Sequence, residues 1–171
     1  MPFVSIIFFG ILSASFALML ELLTSLLASF FGPGLHINLD PILTGTAFSA
    51  TIVLTLVGIA FIEEYSKYLF LRQYALRYFL TTASTIRGAT VLSVLFGIGF
   101  TSLETALIIS GLTPFVPVAL LGVALLHIAT SFIFSFYLFS YSDERPWFPL
   151  GLLFLATLTH TLYNIAIFFL S

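Results

Sequence analysis

Leu54-Thr55-Leu56-Val57-Gly58-Ile59-Ala60-Phe61-Ile62-Glu63-Glu64-Tyr65-Ser66-Lys67-Tyr68-Leu69-Phe70-Leu71 is an apolar run with two carboxylates and an ammonium set into its middle. Whether it belongs to a soluble core or a membrane decides the fold. The surrounding chain answers the question. Of 171 residues 60% are apolar and only 7% charged, 21 are Phe, and the mean hydropathy is +1.20. A soluble domain carries roughly 25% charged residues to wet its surface. Too little charge is present here for a water-facing surface, so most of that surface faces lipid. The run is a membrane helix with ionisable groups inside it.

Working outward, a spanning helix needs about 20 mostly apolar residues. Five segments qualify: 3–31, 41–62 with a helical extension to 80, 89–110, 116–140 and 148–170. Breakers separate them: Gly32-Pro33-Gly34, Thr81-Thr82-Ala83-Ser84, Gly111 with Pro114 and Pro117, and Ser142-Asp143-Glu144-Arg145-Pro146. The expected fold is all-α, a polytopic integral membrane helical bundle of about five transmembrane helices in a single transmembrane domain spanning 1–171. The N-terminus lacks the basic n-region of a signal peptide, and its apolar run is too long for one, so it reads as the first span. All five Lys/Arg lie in two connections, Lys67, Arg72, Arg77 and Arg87 around the second and Arg145 in the fourth. The positive-inside rule puts both in the cytoplasm, with the N-terminus inside. Tyr65, Tyr68, Tyr74 and Tyr78 beside Lys67, Arg72 and Arg77 suit the headgroup layer, so the second helix is expected to extend at the cytoplasmic interface. Without cysteine there are no disulfides, thiolate metal sites or cysteine nucleophiles. No basic patch exists for nucleic acid.

A charge at membrane depth costs about 2.5–3.5 kcal/mol on insertion scales, so each needs a reason. The candidates are Glu21, Glu63, Glu64, Glu104, His127 and His160, with Asn164 as a neutral companion. Lys67 lies three residues from Glu64 and four from Glu63, within reach of either. Gly97, Thr101 and Glu104 share one helical face, and Gly97 with Gly99 lets another helix approach closely. His127 shares a face with Ser131; His160 and Asn164 are one turn apart with Thr157 beside them. Such stripes point inward, because facing lipid would leave them unsatisfied. Thr101, Ser131 and Thr157 read as packing groups, and Glu21, beside Thr24 and Ser25, as a structural one. His127 is balanced between a core histidine and a functional one. Three carboxylates with one nearby cation have no structural need, which favours function for Glu63, Glu64, Glu104, His160 and Asn164. Crowded carboxylates cannot all ionise cheaply, so one can accept a proton from water while another keeps its own. A His and an Asn one turn apart supply two donors for a developing oxyanion. Together these describe hydrolysis of an amide or ester without a covalent intermediate.

Four motifs in order, each on its own expected helix, carry a resemblance: Glu63-Glu64-Tyr65-Ser66-Lys67, Phe100-Thr101-Ser102-Leu103-Glu104 after Gly97-Ile98-Gly99, His127, and His160-Thr161-Leu162-Tyr163-Asn164. The chain resembles the PrsW-like branch of the CAAX-protease and bacteriocin-processing superfamily of intramembrane glutamic proteases. The resemblance implies an intramembrane endopeptidase of a prokaryotic plasma membrane acting on a membrane-anchored protein or lipidated peptide. Glu63 would be the general base, supported by Glu64, Lys67 and His127, with the choice between the two adjacent glutamates open. Glu104 would be the second water-holding group, and His160 with Asn164 the oxyanion donors. Relative to the prenyl-protein proteases Lys67 falls one position early and Glu104 replaces a histidine. That departure leaves a metal open.

No cofactor is favoured, since no H-E-x-x-H helix occurs. Zinc is the alternative, with Glu63, Glu64, Glu104, His127 and His160 as ligand types. Two other classes compete: a small proton-coupled transporter, which predicts broken helices, and a non-catalytic membrane scaffold, in which the glutamates are dispensable. Depth sets a further question. If Tyr65–Tyr78 mark the interface, Glu63 lies toward the cytoplasmic side and Glu104 toward the outer side, and they meet only if a helix is tilted or the second stays immersed beyond Lys67.

Overall fold

A bilayer core offers no water to backbone amides, so uninterrupted apolar segments must satisfy them internally and become helices. The computed structural model describes residues 2–31, 50–78, 86–110, 117–140 and 148–170, and each segment is one continuous helix. They are α1 (Pro2–Phe31), α2 (Ala50–Tyr78), α3 (Ile86–Ser110), α4 (Pro117–Ser140) and α5 (Phe148–Leu170). Pro2 and Pro117 open their helices and Pro149 sits in the first turn of α5, where a missing N–H costs nothing. The breakers expected between the spans, and Pro41–Ser49 of the second one, lie outside the described residues.

The architecture is all-helical, that of a polytopic membrane protein. Four of the five helices are long and apolar enough to cross a membrane: α1, α3, α4 and α5. The fifth, α2, is interrupted by Glu63, Glu64 and Lys67, and it packs against α1, α4 and α5. Its charges are enclosed by neighbours. The outward faces are apolar, with Phe3, Val4, Phe8, Leu54, Leu121, Phe154 and Leu162 exposed. Buried positions include Ser13, Glu64, Ser66, Lys67, Ser93, His127, Thr130, Ser131, Ser135 and His160. Apolar outside with polar inside is the arrangement lipid selects.

Two close approaches set the helix spacing. A Cβ on Gly99 of α3 would collide with the Ile7 carbonyl of α1, and one on Gly10 with the Phe96 carbonyl. On the neighbouring face, a Cβ on Gly97 would meet Ile128 of α4 at 2.7 Å. The Gly97–Gly99 pair therefore serves two partner helices, one on each side. α3 carries no break there, so the discontinuity a transporter would call for is absent from the described helix.

The expected helical extension of α2 is present to Tyr78, and it packs against α1. Leu71, Tyr74 and Ala75 are buried, and the Tyr74 hydroxyl shares a 3.1 Å hydrogen bond with Ser5 Oγ of α1. The Tyr74 ring meets Phe9 edge-on at 5.1 Å. An unbroken helix keeps its phase, so the stripe Ala60–Glu64–Lys67–Leu71–Tyr74 stays on the inner face throughout. Tyr74 belongs to the core, whereas Tyr65 is exposed. α2 remains packed against α1 beyond Lys67.

Candidate functional site

The inward stripe of α2 puts Glu64 and Lys67 between α4 and α5, both with no exposed surface. Lys67 Nζ lies 2.6 Å from Glu64 Oε1, 2.6 Å from His127 Nδ1 and 3.2 Å from Thr130 Oγ1. The ring of Phe100 lies 4.7 Å from the ammonium and 4.6 Å from the His127 ring. Glu64 Oε1 also accepts from His160 Nδ1 at 2.8 Å. Of the two glutamates within reach of Lys67, the structure gives the ammonium to Glu64.

Glu63 consequently has a different environment. It sits one residue along, 100° around the helix, with its side chain 13% exposed. Its Oε2 is enclosed, has no hydrogen-bond partner, and stands 3.5 Å from His160 Nε2. Glu104 of α3 pairs through Oε2 with His127 Nε2. The contacts run in one chain: Glu104, His127, Lys67, Glu64, His160, Glu63. Both ends of the chain, Glu63 and Glu104, line one cavity of about 60 Å³ together with Ala14, Ala17, Leu18, Glu21, Phe100 and Leu103. A buried water needs roughly 10–15 Å³ of such space, so several waters fit.

Of the residues singled out in the sequence, Glu63, Glu64, Lys67, Glu104, His127 and His160 come together. Asn164 does not join them: it is half-buried one turn beyond His160, and none of the cluster's hydrogen bonds reaches it. Three contributors were missed. Thr130, not Ser131, shares the ammonium; its signal was the three-residue spacing from His127. Ser66, whose Oγ lies 3.1 Å from Ser13 Oγ, ties α2 to α1 beneath the site. Glu21 was set aside because of its polar neighbours, yet the Thr24 hydroxyl donates to the Glu21 backbone carbonyl at 2.9 Å. The carboxylate is left to the cavity, and the insertion cost of an in-span glutamate was the signal to keep.

The donor set admits a metal by type. Glu63, His127 and His160 each offer a ligand atom, all within 4.8 Å of one another. The best-formed pair is Glu63 Oε2 with His160 Nε2. Zinc–ligand bonds of about 2.0–2.1 Å make a tetrahedral edge of roughly 3.4 Å, and the observed separation is 3.5 Å. Glu64 on Nδ1 is the carboxylate that commonly orients a metal-binding histidine.

Fold and site together define an integral membrane protein that gathers carboxylates and histidines around a water-sized cavity inside its bundle. Residues 3–171 match the PrsW family of intramembrane metalloproteases. The chain belongs to that family, which is one of intramembrane proteases. No curated protein and no solved structure matches it.

Proposed function

We propose that this chain is an intramembrane endopeptidase that hydrolyses a peptide bond of a membrane-anchored or lipidated protein, with Glu63 as the base. One observation carries the reading: of the two adjacent glutamates, Glu63 and not Glu64 lines, with Glu104, a cavity large enough for water, and its Oε2 has no hydrogen-bond partner. A base must have a free lone pair within reach of the proton it takes. Glu64, bonded to both Lys67 and His160, has the orienting role.

Glu63 takes a proton from water as the oxygen attacks the scissile carbonyl. Glu104, steadied by His127, holds the water from the opposite side of the cavity. His160 Nε2, beside Glu63 Oε2, shares the transferred proton, and Glu64 on Nδ1 stabilises the imidazolium that results. The C–N bond then breaks and the leaving amine takes that proton back. Asn164, unbonded to the cluster and one turn from His160, is the remaining donor for the oxyanion. The order of the four motifs supports kinship with the wider CAAX-protease superfamily. The distribution of Arg72, Arg77, Arg87 and Arg145 supports a cytoplasmic N-terminus.

The family's description and the Glu63–His160 pair favour a second reading, in which these two residues hold a divalent cation such as zinc. When bound, it would supply Lewis acidity to the carbonyl and to water.

The test is cleavage of a fluorescently labelled single-span peptide by purified protein in liposomes. Glu63→Gln, Glu104→Gln and His160→Ala are each expected to lose about 10²–10⁴-fold in activity. Equal activity in wild type and Glu63→Gln would overturn the protease reading. A chelator that abolishes wild-type activity, with recovery on adding zinc, selects the metal; an indifferent chelator selects the carboxylates alone.

A further inference from the structure

The two histidines at the centre of the cluster look alike in type and burial, with rings 5.3 Å apart and nearly perpendicular. Their hydrogen-bond partners make them opposites. An ammonium group has three N–H donors and no lone pair. Lys67 Nζ faces three acceptors, Glu64 Oε1, His127 Nδ1 and Thr130 Oγ1, and so uses all three donors. His127 Nδ1 must therefore accept. A neutral imidazole carries its one proton on the other nitrogen, so His127 Nε2–H donates to Glu104 Oε2. His160 runs the other way. A carboxylate oxygen faces its Nδ1 at 2.8 Å, so Nδ1 carries a proton, and Nε2 lies toward Glu63.

We infer that Lys67 locks His127 in the Nε2–H tautomer, making it a positioning residue for Glu104 and withholding it from any metal that Glu63 and His160 bind. In the resting site its Nδ1 lone pair lies against the ammonium and its Nε2 is protonated. For His127 to ligate through Nε2, the proton would have to move to Nδ1, where it would point at Lys67, donor against donor. The triad of Glu63, His127 and His160 is thus one histidine short as a ligand set. Lys67 acts at a distance from the water: it orients Glu104 through His127, and His160 through Glu64. The two arms of the chain leave one ammonium and end on the two carboxylates of the cavity. The inference deepens the peptidase reading, on which its consequence for Glu104 rests, but the tautomers are measurable without any substrate.

The experiment is two-bond ¹H–¹⁵N correlation on full-length protein carrying ¹⁵N-histidine in lipid nanodiscs. Signals are assigned with His36→Ala, His127→Gln and His160→Gln, and recorded before and after adding zinc ion. The expected result in wild type is a protonated Nε2 and bare Nδ1 for His127, and a protonated Nδ1 for His160. Zinc is expected to shift His160 Nε2 and leave both His127 nitrogens in place. A His127 ring protonated on Nδ1, or a zinc-induced shift at His127, would overturn the proposal. If zinc shifts neither ring while the tautomers are as stated, the lock stands and the metal reading of the previous subsection fails. His127→Gln supplies an independent readout, because a carboxamide can accept from Lys67 and donate to Glu104 but is a poor metal ligand. It should retain cleavage within about tenfold of wild type, where His127→Ala loses about a hundredfold. Equal losses in the two variants would count against positioning.

Discussion

The site has two sides, and Phe100 stands between them. On one, Glu64, Lys67, His127 and Thr130 of α2 and α4 have no exposed surface and are joined through Lys67 Nζ, with Glu64 Oε1 bonded twice and its Oε2 unbonded. On the other, Glu21, Glu63 and Glu104 of α1, α2 and α3 border a cavity, and Glu63 Oε2 bonds to nothing. The same residue types serve both. What differs is access to the cavity. An enclosed charge holds helices in place, whereas one beside water is available for chemistry. Adjacent residues of one helix, Glu63 and Glu64, fall on opposite sides because 100° of rotation is enough to give the lysine to one and the cavity to the other.

The strongest way to break this comparison is to remove the cation. Lys67→Met leaves the Glu64 carboxylate buried without its ion-pair partner, and breaking such a pair costs about 3–5 kcal/mol. Thermal unfolding in detergent should show a large drop in midpoint, and cleavage should vanish with it. The double variant Lys67→Met with Glu64→Leu sharpens the result. An apolar pair of similar volume can match or exceed a buried ion pair in stability. Its midpoint should therefore recover while activity stays lost, because His160 has no orienting partner. Recovery of both would mean that the enclosed side has no part in catalysis.

The partition is the next target. Phe100 touches the ammonium, the His127 ring and the cavity. Phe100→Leu keeps the wall apolar but removes the ring face, worth about 1–2 kcal/mol where a cation is desolvated. A midpoint shift of that size, with water-exchange at Lys67 rising in hydrogen-exchange measurements, is the expected outcome. No change in either would reduce Phe100 to ordinary packing.

Much of this was legible in the sequence because lipid simplifies the problem. Long apolar runs must be helices, and inserted charges must face inward, so the helices and the six clustered ionisable residues followed from periodicity and insertion cost alone. Two things did not. Lys67 was equidistant in sequence from two carboxylates, and only the rotation of α2 against α4 and α5 selects Glu64. Tyr74 carries the interfacial signature but is buried against Phe9, because amphipathic residues suit a helix–helix seam as well as a headgroup layer. Glu21 was lost for a related reason. Side-chain oxygens near it in sequence suggested local satisfaction, yet a threonine three residues on prefers the backbone carbonyl.

Glu21 also gives the finest test of the comparison, since it lies on the open side without belonging to the chain of contacts. If the cavity acts through its bonded ends alone, the charge of Glu21 is incidental. If the carboxylates act together as a field, removing one charge changes how the cavity treats a cation. Unit charges 8–10 Å apart interact by about 1 kcal/mol at an effective dielectric near 40, roughly a fivefold change in rate constant. Glu21→Gln keeps the shape and removes the charge. Two single-span test peptides, one with a lysine beside the scissile bond and one with a glutamine there, separate the alternatives. The field predicts a threefold to fivefold fall in kcat/KM for the lysine peptide alone. Equal values for both peptides would confine the working part of the cavity to Glu63 and Glu104 and leave Glu21 as a wall.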